Sequence, residues 1–238
     1  MKQRDRFKHA EYFNDFISTY SSNLSEYLLV LEQPITKDHR LSLLYTVFRT
    51  RMELWIARYS AGEVISSLKY SYPEVIQSLE NYLREDKNGS INFLGLTDYI
   101  QSLWLVSIAL LLQLEDEMLK QLINLIGNTG KDALYDRLIN IKYPLLPAGD
   151  TLIHPKQYQS LYNAINSVDE KRREIFINTF LDEYYSRMQD VYWSGTHELD
   201  NGYFGYWLFE LAAFSRFLPI NDDRYRNNRH YPVDLVDI

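Results

Sequence analysis

Glu210 is the sharpest single residue in this chain. It stands among apolar neighbours, with Phe204, Trp207, Leu208 and Leu211 on one face and Tyr206, Ala213 and Phe217 on another. A carboxylate in such surroundings is costly unless it is hydrogen-bonded or paired. Two roles follow. One is a catalytic acid or base with a raised pKa. The other is an anchor that bonds loop amides or a side chain from the Trp193–His197 segment. A single carboxylate with no committed partner makes no mechanism, so the anchor is the expected role.

Metal chemistry finds little support. The chain has five His, at His9, His39, His154, His197 and His230, and none forms an i, i+4 pair or a His-Glu-x-x-His motif. His197-Glu198 and His230 are left as distant candidates, and His197 is expected instead to lock the tight Ser194-Gly195-Thr196 turn. The absence of Cys excludes disulfides, thiolate metal sites and Cys nucleophiles. No Gly-x-Gly-x-x-Gly, P-loop or Gly-x-Ser-x-Gly string occurs. The expectation is a chain with no catalytic centre, no cofactor and no metal of its own.

Charge permits attraction to a basic partner, and simple solubility accounts for the net figure. The net charge is −7, which argues against gripping phosphates directly. From residue 180 onward there are ten acids against five Arg, so most of the excess lies there. An acidic face speeds encounter with a basic partner; a solvated surface with no partner is the competing view. Glu198, Asp200, Asp222 and Asp223 are the candidate partner-binding residues. Asp222-Asp223 also reads as a helix start, with Asn221 or Asp222 as its cap.

The elements that must position these residues are helical. Tyr12, Phe13, Phe16, Ile17 and Tyr20 recur at three- and four-residue spacing. Thr36 reads as a cap for a helix carrying Leu43 to Tyr59, Pro73 as a first helical position, and Thr97 as the cap of a helix over 98–113. Gly62 sits inside a helical pattern, where Gly is costly; close approach of another helix is the expected reason. Asp86-Lys87-Asn88-Gly89 is a turn cluster, and Gly127-Asn128-Thr129-Gly130 ends a helix. Residues 144–155 are irregular. Helices resume over 156–166 and 169–189, and a buried one is expected over 203–218. Tyr231-Pro232-Val233-Asp234-Leu235 reads as a rigid extended strap over the core.

The fold class expected is all-α, a multi-helix, bundle-like domain with that helix at its centre. The halves are 1–115 and 116–238, with a soft boundary near 114–130 and no Gly/Ser-rich linker, so they are expected to pack as one body. The apolar run Leu103–Leu112 is too short to span a bilayer. No apolar segment follows the charged N-terminus, and a cytoplasmic, membrane-free protein is expected.

Five strings in order add a family resemblance. Tyr192-Trp193-Ser194-Gly195-Thr196-His197, then Gly202-Tyr203-Phe204-Gly205-Tyr206-Trp207-Leu208-Phe209-Glu210-Leu211-Ala212-Ala213, then Ile220 to Asp223 and Tyr231 to Leu235 resemble the C-terminal half of the PoNi immunity proteins. Tyr59-Ser60-Ala61-Gly62-Glu63 resembles a string of their N-terminal half. Leu208 and Leu211 depart mildly from the pattern. The resemblance implies a stoichiometric inhibitor of a cognate DNase toxin of the PD-(D/E)xK type, delivered between bacteria by a secretion system. Any metal then belongs to the toxin, and this chain is not an enzyme. Tyr59, Gly62, Trp193, Gly195, His197, Tyr206, Trp207, Glu210, Tyr231, Pro232 and Asp234 become fold-setting motif residues. The rival is an enzyme using Glu210, or Glu198 with His197; a third reading is an adaptor for some other protein. A buried, fully bonded Glu210 with no adjoining pocket would remove the best enzymatic candidate.

Overall fold

The computed structural model describes residues 3–86, 89, 91–146 and 148–238. Among them are ten α-helices and no strand, so the protein is all-α. The helices are α1 (Ala10–Leu31), α2 (Lys37–Ala61), α3 (Ile65–Glu85), α4 (Leu96–Leu111), α5 (Asp116–Ile126), α6 (Ala133–Ile139), α7 (Pro155–Asn166), α8 (Glu170–Arg187), α9 (Phe209–Phe217) and α10 (Val233–Val236). No helix among the described residues is long and apolar enough to cross a membrane. Two units make up the chain. Unit one is Met1–Ser90, Asp116–Leu125 and Thr196–Tyr206; unit two is Ile91–Glu115, Ile126–Gly195 and Trp207–Ile238.

In unit one, α1 and α3 both pack on α2. The buried residues of α2 run round the helix, from Leu43, Val47 and Phe48 to Met52, Trp55 and Ile56, as expected for a helix covered from more than one side. Thr36 caps it, its Oγ1 accepting from the His39 amide at 3.3 Å. The Trp55 indole donates to the Leu68 carbonyl at 2.9 Å and ties α2 to α3. Pro73 lies inside α3 rather than at its start. A mid-helix Pro costs about 3 kcal/mol. Burial of Leu68, Tyr72 and Val75, at about 1.5–3 kcal/mol each, outweighs it.

Gly62 corrects another expectation. It does not sit inside a helix awaiting a neighbour. It ends α2 in the left-handed region, at φ 97° and ψ 19°, where any residue with a Cβ is strained. Asp86 is the C-cap of α3; Lys87 and Asn88 of the expected turn cluster lie outside the described residues.

In unit two, α4 is buried from Tyr99 to Leu111 and packs against α9 and α6. Its N-cap is Gly95, and the expected cap Thr97 lies within the helix. The reason is backbone bonding one turn early, since the Tyr99 amide already bonds the Gly95 carbonyl at 3.0 Å. Gly127 and Asn128, at φ 67° and 64°, close the chain after α5 as expected. Asp132 caps α6, accepting from the Leu134 and Tyr135 amides. Its second oxygen takes the Ile153 amide at 2.8 Å. Asp136 takes the Gly130 and Gly149 amides at 2.9 and 2.7 Å. These two carboxylates give the irregular stretch before α7 its shape; its Pro147 lies outside the described residues. Helices α7 and α8 pair with each other.

The buried helix expected over 203–218 is α9, and it begins only at Phe209. Residues 203–208 are buried but not helical. Their backbone is bonded elsewhere. The Phe204 carbonyl accepts from Ser60 Oγ at 2.7 Å, and the Leu208 amide donates to the His230 carbonyl at 2.8 Å. Gly205, at φ 131°, interrupts any helix there. The strap also differs from expectation. Pro232, at φ −84° and ψ 66°, is not extended; the Val233 amide turns back to the Tyr231 carbonyl at 2.9 Å, and Val233 to Val236 make a helical turn, α10, against α9.

Candidate functional site

The motif residues of unit one converge on the segment Thr196–Tyr206. The Tyr206 hydroxyl accepts from the His197 amide at 3.1 Å and lies 3.2 Å from both His197 Nδ1 and Thr196 Oγ1. The Phe7 ring meets His197 edge-on at 5.1 Å, and Tyr203 and Tyr206 at 5.9 Å each. His197 is therefore held by a tyrosine hydroxyl and a ring, not presented to a metal. No group of three His, Cys, Asp or Glu that could hold a metal occurs among the described residues.

The same segment is tied to the N-terminus and to the end of α2. Tyr12 Oη accepts from the Tyr203 amide at 2.8 Å and donates to its carbonyl at 3.0 Å. Tyr203 Oη donates to Asp5 Oδ2, while Asp5 Oδ1 accepts from the Phe7 and Lys8 amides. Burial raises the Asp5 pKa above the ordinary carboxylate value, and those hydrogen bonds pull against the rise. Arg4 donates to the carbonyls of Tyr59 and Glu63 at 2.9 and 2.8 Å and stacks 4.6 Å over the Tyr59 ring. Tyr59 and Gly62 thus mark the place where the N-terminal segment docks. Sequence reasoning missed Arg4, Asp5, Tyr12 and Tyr203 as members of this cluster.

In unit two, Glu210 is fully buried. Its Oε1 accepts from the Tyr158 hydroxyl at 3.2 Å. Burial lifts its pKa to about 7, opposed by its own backbone amide, Tyr158 and the Trp104 indole. The expected partner from Trp193–His197 is replaced by Tyr158 of α7. That hydroxyl reaches the carboxylate because Tyr158 packs between Tyr99 and Phe180, at 5.6 and 6.0 Å. Trp193 instead lies 5.6 Å from Trp104. Gly195, at φ 80°, gives its amide to Tyr185 Oη at 3.0 Å. None of the described clefts reaches Glu210. The cleft of about 440 Å³ in unit two runs between α8 and residues 220–225.

The C-terminal motif is also internally bonded. Asp222 takes both contacts of Arg226 Nη1, at 3.0 and 2.9 Å, and the Tyr231 hydroxyl at 2.8 Å. Asn221 Oδ1 accepts the Asp223 amide at 2.8 Å. The capping expected of this string is present, but it opens a turn over 223–227 and not a helix. Arg216 of α9 donates to the carbonyls of Leu111 and Leu235 at 2.9 and 2.8 Å, and to that of Ile238 at 2.6 Å. Pro232 and Trp207 are buried, and Asp234 is exposed on α10.

Of the four partner-binding candidates, Glu198, Asp200 and Asp223 are exposed. The Asp222 side chain is 13% exposed and already paired, so it is an internal anchor. Glu198 and Asp200 belong to unit one and Asp223 to unit two. The arrangement offers motif residues engaged largely with one another, one buried Glu210 oxygen left without a hydrogen bond, and solvated carboxylates. Among the described residues and clefts, it brings no nucleophile, base and oxyanion donors together.

Family models for the PoNe immunity proteins (PoNi) match the chain in order. The N-terminal model covers residues 4–124 and the C-terminal model residues 130–235. The chain is also similar to the crystal structure of protein PA2201 from Pseudomonas aeruginosa. The TM-score is 0.69 at 16% identity, covering 100% of this chain and 98% of that one. At that identity the likeness is one of fold. No curated protein matches the sequence.

Proposed function

The chain belongs to the family of PoNe immunity proteins, and from that premise we propose that it binds a cognate PoNe-type nuclease toxin one-to-one, silences it, and protects the cell that makes it. The observation that carries this reading is the family match in both halves of the chain. The geometry supports it. The motif residues are spent on internal bonds, which leaves exposed carboxylates such as Glu198 and Asp200 for a partner. A nuclease must offer a basic surface to phosphate, and an acidic inhibitor complements that surface.

Neutralisation in this reading is occlusion. The toxin's DNA-binding surface or active site is buried at an interface of standard size or larger. The toxin is of the PD-(D/E)xK type, its metal stays with it, and the complex forms in the cytoplasm of a cell competing with its neighbours. The enzymatic alternative loses ground because Glu210 is fully buried with one oxygen held by Tyr158 and lines none of the described clefts, and because His197 is held by Tyr206.

A plasmid-cleavage titration tests the reading. Cleavage by the cognate toxin should vanish at about one equivalent of this protein, and the toxin should recover full activity after separation. Inhibition at far below one equivalent, or a toxin left covalently altered, would overturn it.

A further inference from the structure

α1 is the barest helix of unit one. Of its 22 residues only Phe13 and Phe16 are buried. Glu11, Asp15, Ser18, Ser22, Glu26 and Leu29 recur at helical spacing, and all are exposed. They form one outward stripe about 27 Å long, at 1.5 Å per residue. A standard interface of about 800 Å² per partner is about as wide. From His9 to Thr36 there is no Lys or Arg and there are four acids. Of the nearby cations, Lys8 donates to the Leu199 carbonyl, and Arg40 donates to that of Leu31 and pairs with Glu85, while Lys37, just past the run, is exposed at the start of α2.

The stripe ends in apolar surface. Leu29 is 61% exposed, and its neighbours Leu28 and Val30 are 37% each. Short hydroxyls and carboxylates along the stripe suit the rim of an interface, and the aliphatic end suits its desolvated part. A long run of acid without base suits a partner built to hold phosphates. This chemistry excludes nucleic acid itself, which the carboxylates repel.

We propose that the outer face of α1 is a docking surface for the basic, DNA-gripping face of the nuclease toxin. This rests on the immunity reading above and names the surface that performs it. The carboxylates steer and orient the toxin, and Leu29 with its neighbours is the apolar part that slows its release.

The test measures binding of the full-length protein to the cognate nuclease domain across a series of salt concentrations. The variants are the triple charge reversal Glu11→Lys, Asp15→Lys, Glu26→Lys, and separately Leu29→Asp. Circular-dichroism melts confirm that each folds, and Glu11→Gln, Asp15→Asn, Glu26→Gln replaces the reversal if it does not. The reversal should weaken binding at least tenfold at low salt and flatten the salt dependence. Leu29→Asp should speed dissociation about tenfold or more. Wild-type affinity in both folded variants would overturn the docking surface while leaving the immunity reading standing. So would a Leu29→Asp that only breaks self-association. A wild-type chain that fails to bind the nuclease would remove the immunity reading, and the surface with it.

Discussion

Tyr203 donates its hydroxyl to Asp5 at 2.5 Å, joining residues 198 positions apart within unit one. With Tyr12 on the Tyr203 backbone and Arg4 on the end of α2, this bond fixes the N-terminal segment. Tyr203→Phe should lower stability by about 1–3 kcal/mol, the range for a hydrogen bond to a carboxylate whose partner is then left buried. Hydrogen exchange should rise first at Phe7 and Lys8, whose amides use the same carboxylate. An unchanged urea midpoint would refute the role.

Glu210 should make the fold sensitive to pH. Its pKa is about 7 in the fold against an ordinary 4.5, so the folded state favours the protonated form. The stabilisation is complete below about pH 4.5 and is lost as pH rises to about 7. That gap is worth about 3 kcal/mol. Glu210→Gln keeps an acceptor for Tyr158 and lacks the titration. It should melt above the wild type at pH 8 and converge with it near pH 4.5. Equal melting differences at both pH values would contradict this. Glu210→Ala should cost about 1–3 kcal/mol, since Tyr158 loses its acceptor.

Glu198, Asp200 and Asp223 should steer the partner. Reversing all three charges should slow association with the toxin at low salt and leave the melting midpoint in place, because the side chains are exposed. Stopped-flow rates that match the wild type would reduce these acids to solvation. Asp222→Asn should behave differently: it loosens Arg226 and Tyr231, and so lowers the melting temperature.

Arg216→Met should free the C-terminus. One guanidinium serves the carbonyls of Leu111, Leu235 and Ile238, and a thioether serves none. Carboxypeptidase should release the last residues several-fold faster from the variant. Equal rates would show that α10 is held by Leu235 packing alone.

The helical class was legible in the spacing of apolar residues, and Thr36 announced α2 correctly. The run 203–208 misled because an all-apolar stretch looks the same whether extended or helical; only its bonds to Ser60 and His230 decide. Gly62 and Pro73 were recognised as special and misplaced, since sequence gives a glycine no φ and a proline no depth within its helix. Asp132 had a local signal, an Asp before an apolar helical run. Asp5 had none. It sits between two arginines and reads as solvated charge, and its partner lies at the other end of the sequence. The exposed acids were visible as a composition, but which of them is already paired, as Asp222 is, required coordinates.

Thr196–Tyr206 belongs to unit one, yet it follows most of unit two in the chain. This has a consequence for synthesis on the ribosome. Helices α1 to α3 and α5 are complete by Ile126, but Asp5, Tyr12 and Ser60 must wait for Tyr203 and Phe204. At about 5–20 residues per second that delay is roughly 4–16 s. During it the nascent N-terminal helices lack the segment that seals them. A helper that shields exposed helices would act in that interval, and a chain cut short before residue 196 would stay in it permanently.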